Sequence, residues 1–279
     1  MFYLILSIVA SSMLTLVMRH SEGRMKSKTG MLAANYVICM LLAAIFIGPS
    51  NLLPQTEGIG PVLGMGAING FFYMISLVIM QQNIKHNGVV LPSVFSRLGG
   101  LVVPLGVAIV LFSEIPKTTQ TIGSVLALLS ILVISYEKQQ TKASAKWLLF
   151  LMFITDGMAA VMSKVFEQTA NQALSDHFLL YTFAAALILC IAVILYNKEK
   201  IGLIDVIYGI CVGVPNFFAS RFMLQALSEL PAVVVYPIRG VGGIVLIALV
   251  GVLFFKEKLK KHQWLAMVVV LAAVALLNL

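Results

Sequence analysis

Apolar residues along this chain come in long, unbroken runs, not in alternation with polar ones. Ten such runs stand out: 2–18, 30–48, 59–81, 88–112, 118–135, 146–164, 178–196, 203–225, 231–255 and 261–279. About 20 residues of helix cross a hydrocarbon core of roughly 30 Å, which is close to the length of each run. Continuous runs predict helices; a membrane barrel would show period-two alternation. The pattern predicts an all-α integral membrane protein with ten transmembrane helices joined by short polar loops.

Composition agrees. Of 279 residues, 60% are hydrophobic and 11% charged, with a mean hydropathy of +1.01. A soluble domain has about 45–50% apolar and about 25% charged residues, and could not bury this much apolar surface. The net charge of +8 is not a nucleic-acid footprint, because the basic residues sit in short loops between spans. Cys39, Cys190 and Cys211 lie inside apolar runs without metal-ligand spacing and read as packing residues. The first run lacks a basic leader and a clear small-residue cleavage site, so it reads as a helix that stays.

Charge then predicts an orientation. Alternate loops hold fourteen of the 19 Lys and Arg residues, the opposite set holds only Lys117 and Lys164, and Arg97, Arg221 and Arg239 fall inside spans. Basic loops stay cytoplasmic, which places "RHSEGRMKSK" (19–28), "EKQQTKASAK" (137–146) and "KEKLKK" (256–261) inside and both termini outside. Trp147 and Trp264 each open a span on that same side, as interfacial anchors do.

The chain also repeats itself. "SRLGG" (96–100) lies over "RGVGG" (239–243), the glycine pairs 143 residues apart, and Glu114 and Glu257 differ by the same 143. "VM" recurs at 17–18 and 161–162, and "NGFF" (69–72) nearly aligns with "PNFF" (215–218). The division expected is a first five-helix repeat over 1–137, a cytoplasmic linker over 138–145 and a second repeat over 146–279. Five is odd, so the second copy enters the membrane from the opposite face, which is an inverted repeat.

Two five-helix halves of this length, with Glu114 and Glu257 ending spans 4 and 9, resemble the drug/metabolite transporter superfamily, of the EamA-like ten-helix type. Relatives usually carry a Gly-Glu pair there, where this chain has "SE" and "KE". Their termini are usually cytoplasmic, opposite to the orientation that the charges favour. The resemblance implies a carrier of small metabolites with its site at the midplane between the repeats, and leaves the substrate open.

The polar residues inside spans are the candidate site. Arg97 lies about 13 Å into span 4 and Arg239 about 12 Å into span 9, both near the midplane. A charge there costs at least about 2.5–3.5 kcal/mol, so each should face the bundle interior. Ser93, Ser96, Arg97, Gly100 and Pro104 share one helical stripe, as do Tyr236, Arg239, Gly240 and Gly243. Gly99, Gly100, Gly242 and Gly243 suit close helix packing. Pro92, Pro104 and Pro237 interrupt these spans, a pointer to a midplane site. Arg97 and Arg239, with Ser96 and Tyr236 beside them, would offer donors to an anionic group. Alternatively, a buried partner neutralises each arginine and locks helices together.

Asp156, about 14 Å beyond Trp147, is the one acid deep in a span. It reads either as a proton-coupling carboxylate or as the counter-ion of an arginine. Arg221 lies about 8 Å from the outer end of span 8, within snorkelling distance, or lines an outer vestibule with Asn216. Asn69 and Tyr73, four apart on span 3, would bond a ligand or a neighbouring helix. Lys164 and Glu167 read as solvated, and the phenylalanines as lipid-facing or packing residues.

No Walker loop, GxSxG, HExxH or Cys/His cluster is present, and the four histidines are expected in loops. The chain therefore reads as a transporter, not an enzyme, with no metal or cofactor. Three intramembrane arginines against one deep acid favour a small anionic or zwitterionic substrate moved by alternating access in a prokaryotic plasma membrane. A proton or counter-substrate would drive it, lipid would surround it, and nucleic acid is not a partner. Export of cationic drugs through Asp156, a flippase for a phosphate-bearing lipid, and a non-transporting scaffold or sensor are the alternatives. The oligomeric state stays open.

Overall fold

A computed structural model describes residues 1–21, 23–52, 58–87, 90–134, 145–255 and 261–278. Among them are ten α-helices: α1 (Phe2–Ser21), α2 (Lys28–Ile47), α3 (Ile59–Asn87), α4 (Val90–Phe112), α5 (Thr118–Ile134), α6 (Lys146–Thr169), α7 (Ser175–Asn197), α8 (Leu203–Glu229), α9 (Ala232–Phe255) and α10 (Lys261–Leu277). Two short 3₁₀ turns, Pro49–Asn51 and Gln172–Leu174, precede α3 and α7. The all-α membrane fold expected from the apolar runs is the one observed. Residues 138–144 of the linker expected at 138–145, Glu257, most of the basic 256–261 loop and the Ser93 side chain lie outside the described residues.

Helices outlast their apolar runs. α3 continues to Asn87, α6 to Thr169 and α8 to Glu229. A helix closes its own hydrogen bonds, so it ends at a breaker or cap, not where hydrophobicity ends. His20, His86 and His177, expected in loops, therefore sit in the terminal turns of α1, α3 and α7. Eight helices have an apolar stretch of 18 residues or more; α5 and α10 have 17 residues each. At 1.5 Å per residue these two reach about 26 Å, the lower limit for spanning. Many large apolar side chains point outward, among them Leu203 (77% exposed), Val110 (76%) and Ile45 (71%). Such surfaces require lipid, not water, as solvent.

The helices form two compact units, and neither is one of the sequence halves. The first comprises Met1–Met74 and Val165–Ser228, the second Ile75–Lys164 and Glu229–Leu279.

In the first unit α2 packs along α7. Leu4, Met31, Phe166, Phe178, Phe183 and Phe217 fill its interior, and the Phe166 and Phe178 rings stack at 4.6 Å. Gly66 and Gly70 press α3 onto the α7 backbone: a Cβ on either would strike the Phe178 or Thr182 carbonyl. Gly209 and Gly213 press α8 onto α2 in the same way, at Met31 and Asn35. Both pairs are G-x-x-x-G, the spacing that lets two membrane helices touch along one stripe.

In the second unit α5 packs along α10, and α9 lies against α4, α5 and α10. Leu101, Ala127, Ile131, Val241, Ile244, Val270 and Ala273 form its core. Gly99 and Gly157 bring α4 and α6 into backbone contact, since a Cβ on Gly99 would collide with the Phe153 carbonyl and one on Gly157 with Val103.

Candidate functional site

The second unit holds Ser96, Gly99 and Gly100 on α4, Asp156 on α6, and Tyr236, Arg239, Gly242 and Gly243 on α9. Arg97 is half-buried and, among the described residues, makes no hydrogen bond or ion pair. Gly100, one turn along, opens onto free space: a Cβ there would meet nothing within 4 Å. Pro104 removes the N–H that the Gly100 carbonyl would have accepted. Half-buried Arg239 precedes Gly240, whose Cβ position lies 3.4 Å from Leu101 of α4. Leu101 is one turn from Arg97, so both arginines flank the same α4–α9 contact. Gly243 is buried and Gly242 half-buried in the next turn of α9.

Asp156 is held by a hydroxyl. Its Oδ1 accepts a hydrogen bond from Ser76 of α3, and its Oδ2 is buried without a hydrogen-bond partner. The Ser96 hydroxyl lies close to the same carboxylate. Among the described residues Asp156 forms no ion pair. Tyr236 is buried, and its hydroxyl donates to the Ala160 carbonyl of α6 at 2.8 Å.

The remaining candidates fall in the first unit. Asn69 is buried and donates to Thr182 Oγ1 at 3.3 Å, leaving its own Oδ1 buried and unbonded. Asn216 donates to Asn35 Oδ1 at 3.1 Å. The two bonds correspond under one offset of 147 residues, α3 to α7 and α8 to α2. Tyr73 meets Phe183 edge-on, and Phe183 stacks on buried Tyr36. Arg221 is held by Asp176 through two hydrogen bonds, at 2.8 and 3.2 Å, and its guanidinium lies 4.1 Å from the Phe46 ring centre. That arrangement occupies its charge locally, as a helix-locking residue would.

Residues 144–279 match the model of the EamA-like transporter family. The second half of the chain is thus similar to that family, as the resemblance in sequence implied, and consistent with the drug/metabolite transporter superfamily. A Haemophilus influenzae protein, described only as uncharacterized, is 24% identical over 255 residues, which cover 87% of this chain and 86% of that one. A solved structure described only as "Crystal structure of protein" superposes with a TM-score of 0.77 at 16% identity, covering 99% of this chain and 94% of the other. It shares the fold.

The EamA-like Gly-Glu pair finds its physical reason at the end of α4. Ser113 holds φ 55°, the left-handed conformation that glycine adopts most readily. Glu114 N–H then reaches back six residues to the Ala108 carbonyl at 3.0 Å, folding the chain over the end of α4. The turn aims Glu114 at α9, where Oε2 accepts the Ala232 N–H at 2.8 Å. Its Oε1 pairs with Lys164 of α6. Lys164 is 1% exposed, so it is not solvated as its place at the end of span 6 suggested. Lys164 sits inside the protein five residues before the end of α6, and Glu114 makes its burial tolerable.

Other residues of this chain were not singled out from sequence. Ser76 is a hydroxyl in an apolar run, and nothing linear announces that Asp156 faces it. Asp205 looks like a surface acid at the start of a span. It is fully buried and accepts the N–H groups of Lys26, Ser27 and Gly202 at 2.8–3.1 Å, tying the α1–α2 loop to the start of α8. The two G-x-x-x-G pairs were readable: Gly66 and Gly209, like Gly70 and Gly213, differ by the same 143 as the other repeat marks.

Proposed function

We propose that this EamA-like protein is a secondary transporter or exchanger for a small anionic or zwitterionic metabolite, working by alternating access. The observation that carries the reading is Arg97: a half-buried guanidinium in a membrane span with no protein counter-ion among the described residues. A charge at that depth is costly, and a bound anion would offset the cost. Arg239, at the same α4–α9 contact, would supply the second set of donors, and Ser96 and Tyr236 border it. Asp156 would take the coupling role.

Alternating access rests on the inverted repeat. The pairing of α2 with α7 and of α5 with α10 joins helices of equal rank in the two sequence halves, as a repeat with two-fold symmetry would. The charge bias supports cytoplasmic basic loops and termini outside; a C-terminal reporter that is active only in the cytoplasm would overturn that orientation.

The test of substrate class is uptake and exchange in proteoliposomes across organic acids, amino acids and lipophilic cations. Transport of anions or zwitterions, competed by unlabelled anion, is the expected result. Transport of cations alone would replace this reading with export through Asp156, whose unbonded Oδ2 is the observation in favour of that role.

A further inference from the structure

We infer that Asp156, Ser76 and Ser96 form a binding site for a monovalent cation, sodium or a proton. The inference rests on the transporter reading only for its purpose, since such a cation would be the coupling ion for an anionic substrate.

Three helices build the site. Ser76 comes from α3, Ser96 from α4 and Asp156 from α6, all in the second unit. Gly99 and Gly157 bring the α4 and α6 backbones together on either side of Ser96 and Asp156. Asp156 itself is half-buried. Ser76 donates to Oδ1, and Oδ2 is buried and unbonded.

A carboxylate in this position has to be neutralised, because burying an unpaired charge costs far more than one hydroxyl returns. Among the described residues no protein cation bonds it, Arg239 of α9 included. Arg97 is the one charged residue of α4 between Val94 and Phe112, and it makes no bond to Asp156. Lys164, two turns along α6, is engaged by Glu114. The stretch of α3 around Ser76, 75–80, carries no charge. What remains is a small ion from solution. The donors are all oxygen, and one is an anion, which suits a hard monovalent ion or a proton and not a thiophilic metal. Ser76 and Ser96 suit either occupant, because a hydroxyl can turn to donate to the empty carboxylate or accept toward a bound ion.

The test uses the full chain in lipid nanodiscs and reads thermal unfolding, not transport. Sodium is varied against choline at constant ionic strength, and pH is varied from about 5 to 9 without sodium. If sodium is the ion, the Tm rises with sodium concentration. If the ion is a proton, the Tm rises as pH falls and sodium has no effect, as ligand linkage requires. In either arm Asp156→Asn removes the response. Ser76→Ala moves its midpoint about tenfold in sodium, or about one pH unit, the scale of one lost charge-assisted hydrogen bond. An Asp156→Asn protein that responds like wild type overturns the site. Should that variant not fold, Ser76→Ala and Ser96→Ala decide: unchanged midpoints in both overturn it. Failed transport with an intact cation response would instead sink the transporter reading and leave the site standing.

Discussion

Glu114 accepts the backbone N–H of Ala232 at 2.8 Å while its other oxygen pairs with Lys164. One side chain thus satisfies a free donor at the start of α9 and neutralises a buried lysine on α6. One turn deeper, Tyr236 of α9 donates to Ala160 of α6, four residues before Lys164. α6 and α9 are therefore joined at two successive turns, and Arg239 follows in the next turn of α9.

This arrangement predicts an asymmetric response to mutation. Lys164→Met alone removes the cation that offsets half-buried Glu114, and Glu114→Gln alone removes the anion that pairs with the buried lysine; each should cost roughly 3–5 kcal/mol. Lys164→Met combined with Glu114→Leu should recover most of that loss. About 1 kcal/mol should persist, because Ala232 still lacks its cap. Denaturation of the four proteins in one detergent measures the cycle, and additive losses would contradict the pairing.

Ser113→Gly should stabilise the chain by about 1 kcal/mol, since glycine enters the left-handed region without the penalty that a Cβ meets there. Ser113→Val should do the reverse. Thermal unfolding of the two variants checks both signs at once. A Gly variant less stable than wild type would mean that the Ser113 side chain contributes more than its backbone conformation costs.

Gly99 and Gly100 adjoin in sequence and should part company in experiment. At Gly99 an added methyl meets the Phe153 carbonyl, so Gly99→Ala must push α4 from α6 and destabilise the protein by more than about 1 kcal/mol. At Gly100 the same methyl meets nothing, so Gly100→Ala should gain up to about 1 kcal/mol from helix propensity. It would also narrow the space beside Arg97, and transport should fall while stability does not.

That contrast shows where sequence reasoning stopped. Periodicity and the length of the apolar runs located all ten helices, because bilayer thickness and helix rise leave little freedom. The Gly-Gly marks were legible as packing sites, yet nothing in "SRLGG" separates the residue that touches α6 from the one that opens onto space. That depends on the angle at which α6 crosses. The same holds for charge. Asp156 read as a possible partner of an arginine, but Ser76 holds it, and the lysine dismissed as solvated carries the buried ion pair. Linear depth gives a residue's height in the membrane and leaves its azimuth undetermined. The repeat was the partial remedy: an offset of 147 relates the Asn69–Thr182 bond to the Asn216–Asn35 bond, and a search for amides at that offset would have paired them.

Arg97 gives the sharpest test of the proposed function. A structural arginine is bound by protein, as Arg221 is by Asp176, and its removal leaves a buried acid unpaired. Arg97 has no such partner among the described residues, so Arg97→Gln should leave unfolding within about 0.5 kcal/mol of wild type or raise it, as a costly buried charge is lost. Substrate affinity should nevertheless fall by at least about tenfold, the scale of a charge-assisted hydrogen bond. Arg97→Lys should restore little, because a point charge cannot reproduce the planar fork that grips a carboxylate or phosphate. Binding and unfolding measured on the same three preparations separate the two roles. Unfolding of the Gln variant with full affinity in the fraction that stays folded would make Arg97 a structural residue and move the substrate's anchor elsewhere.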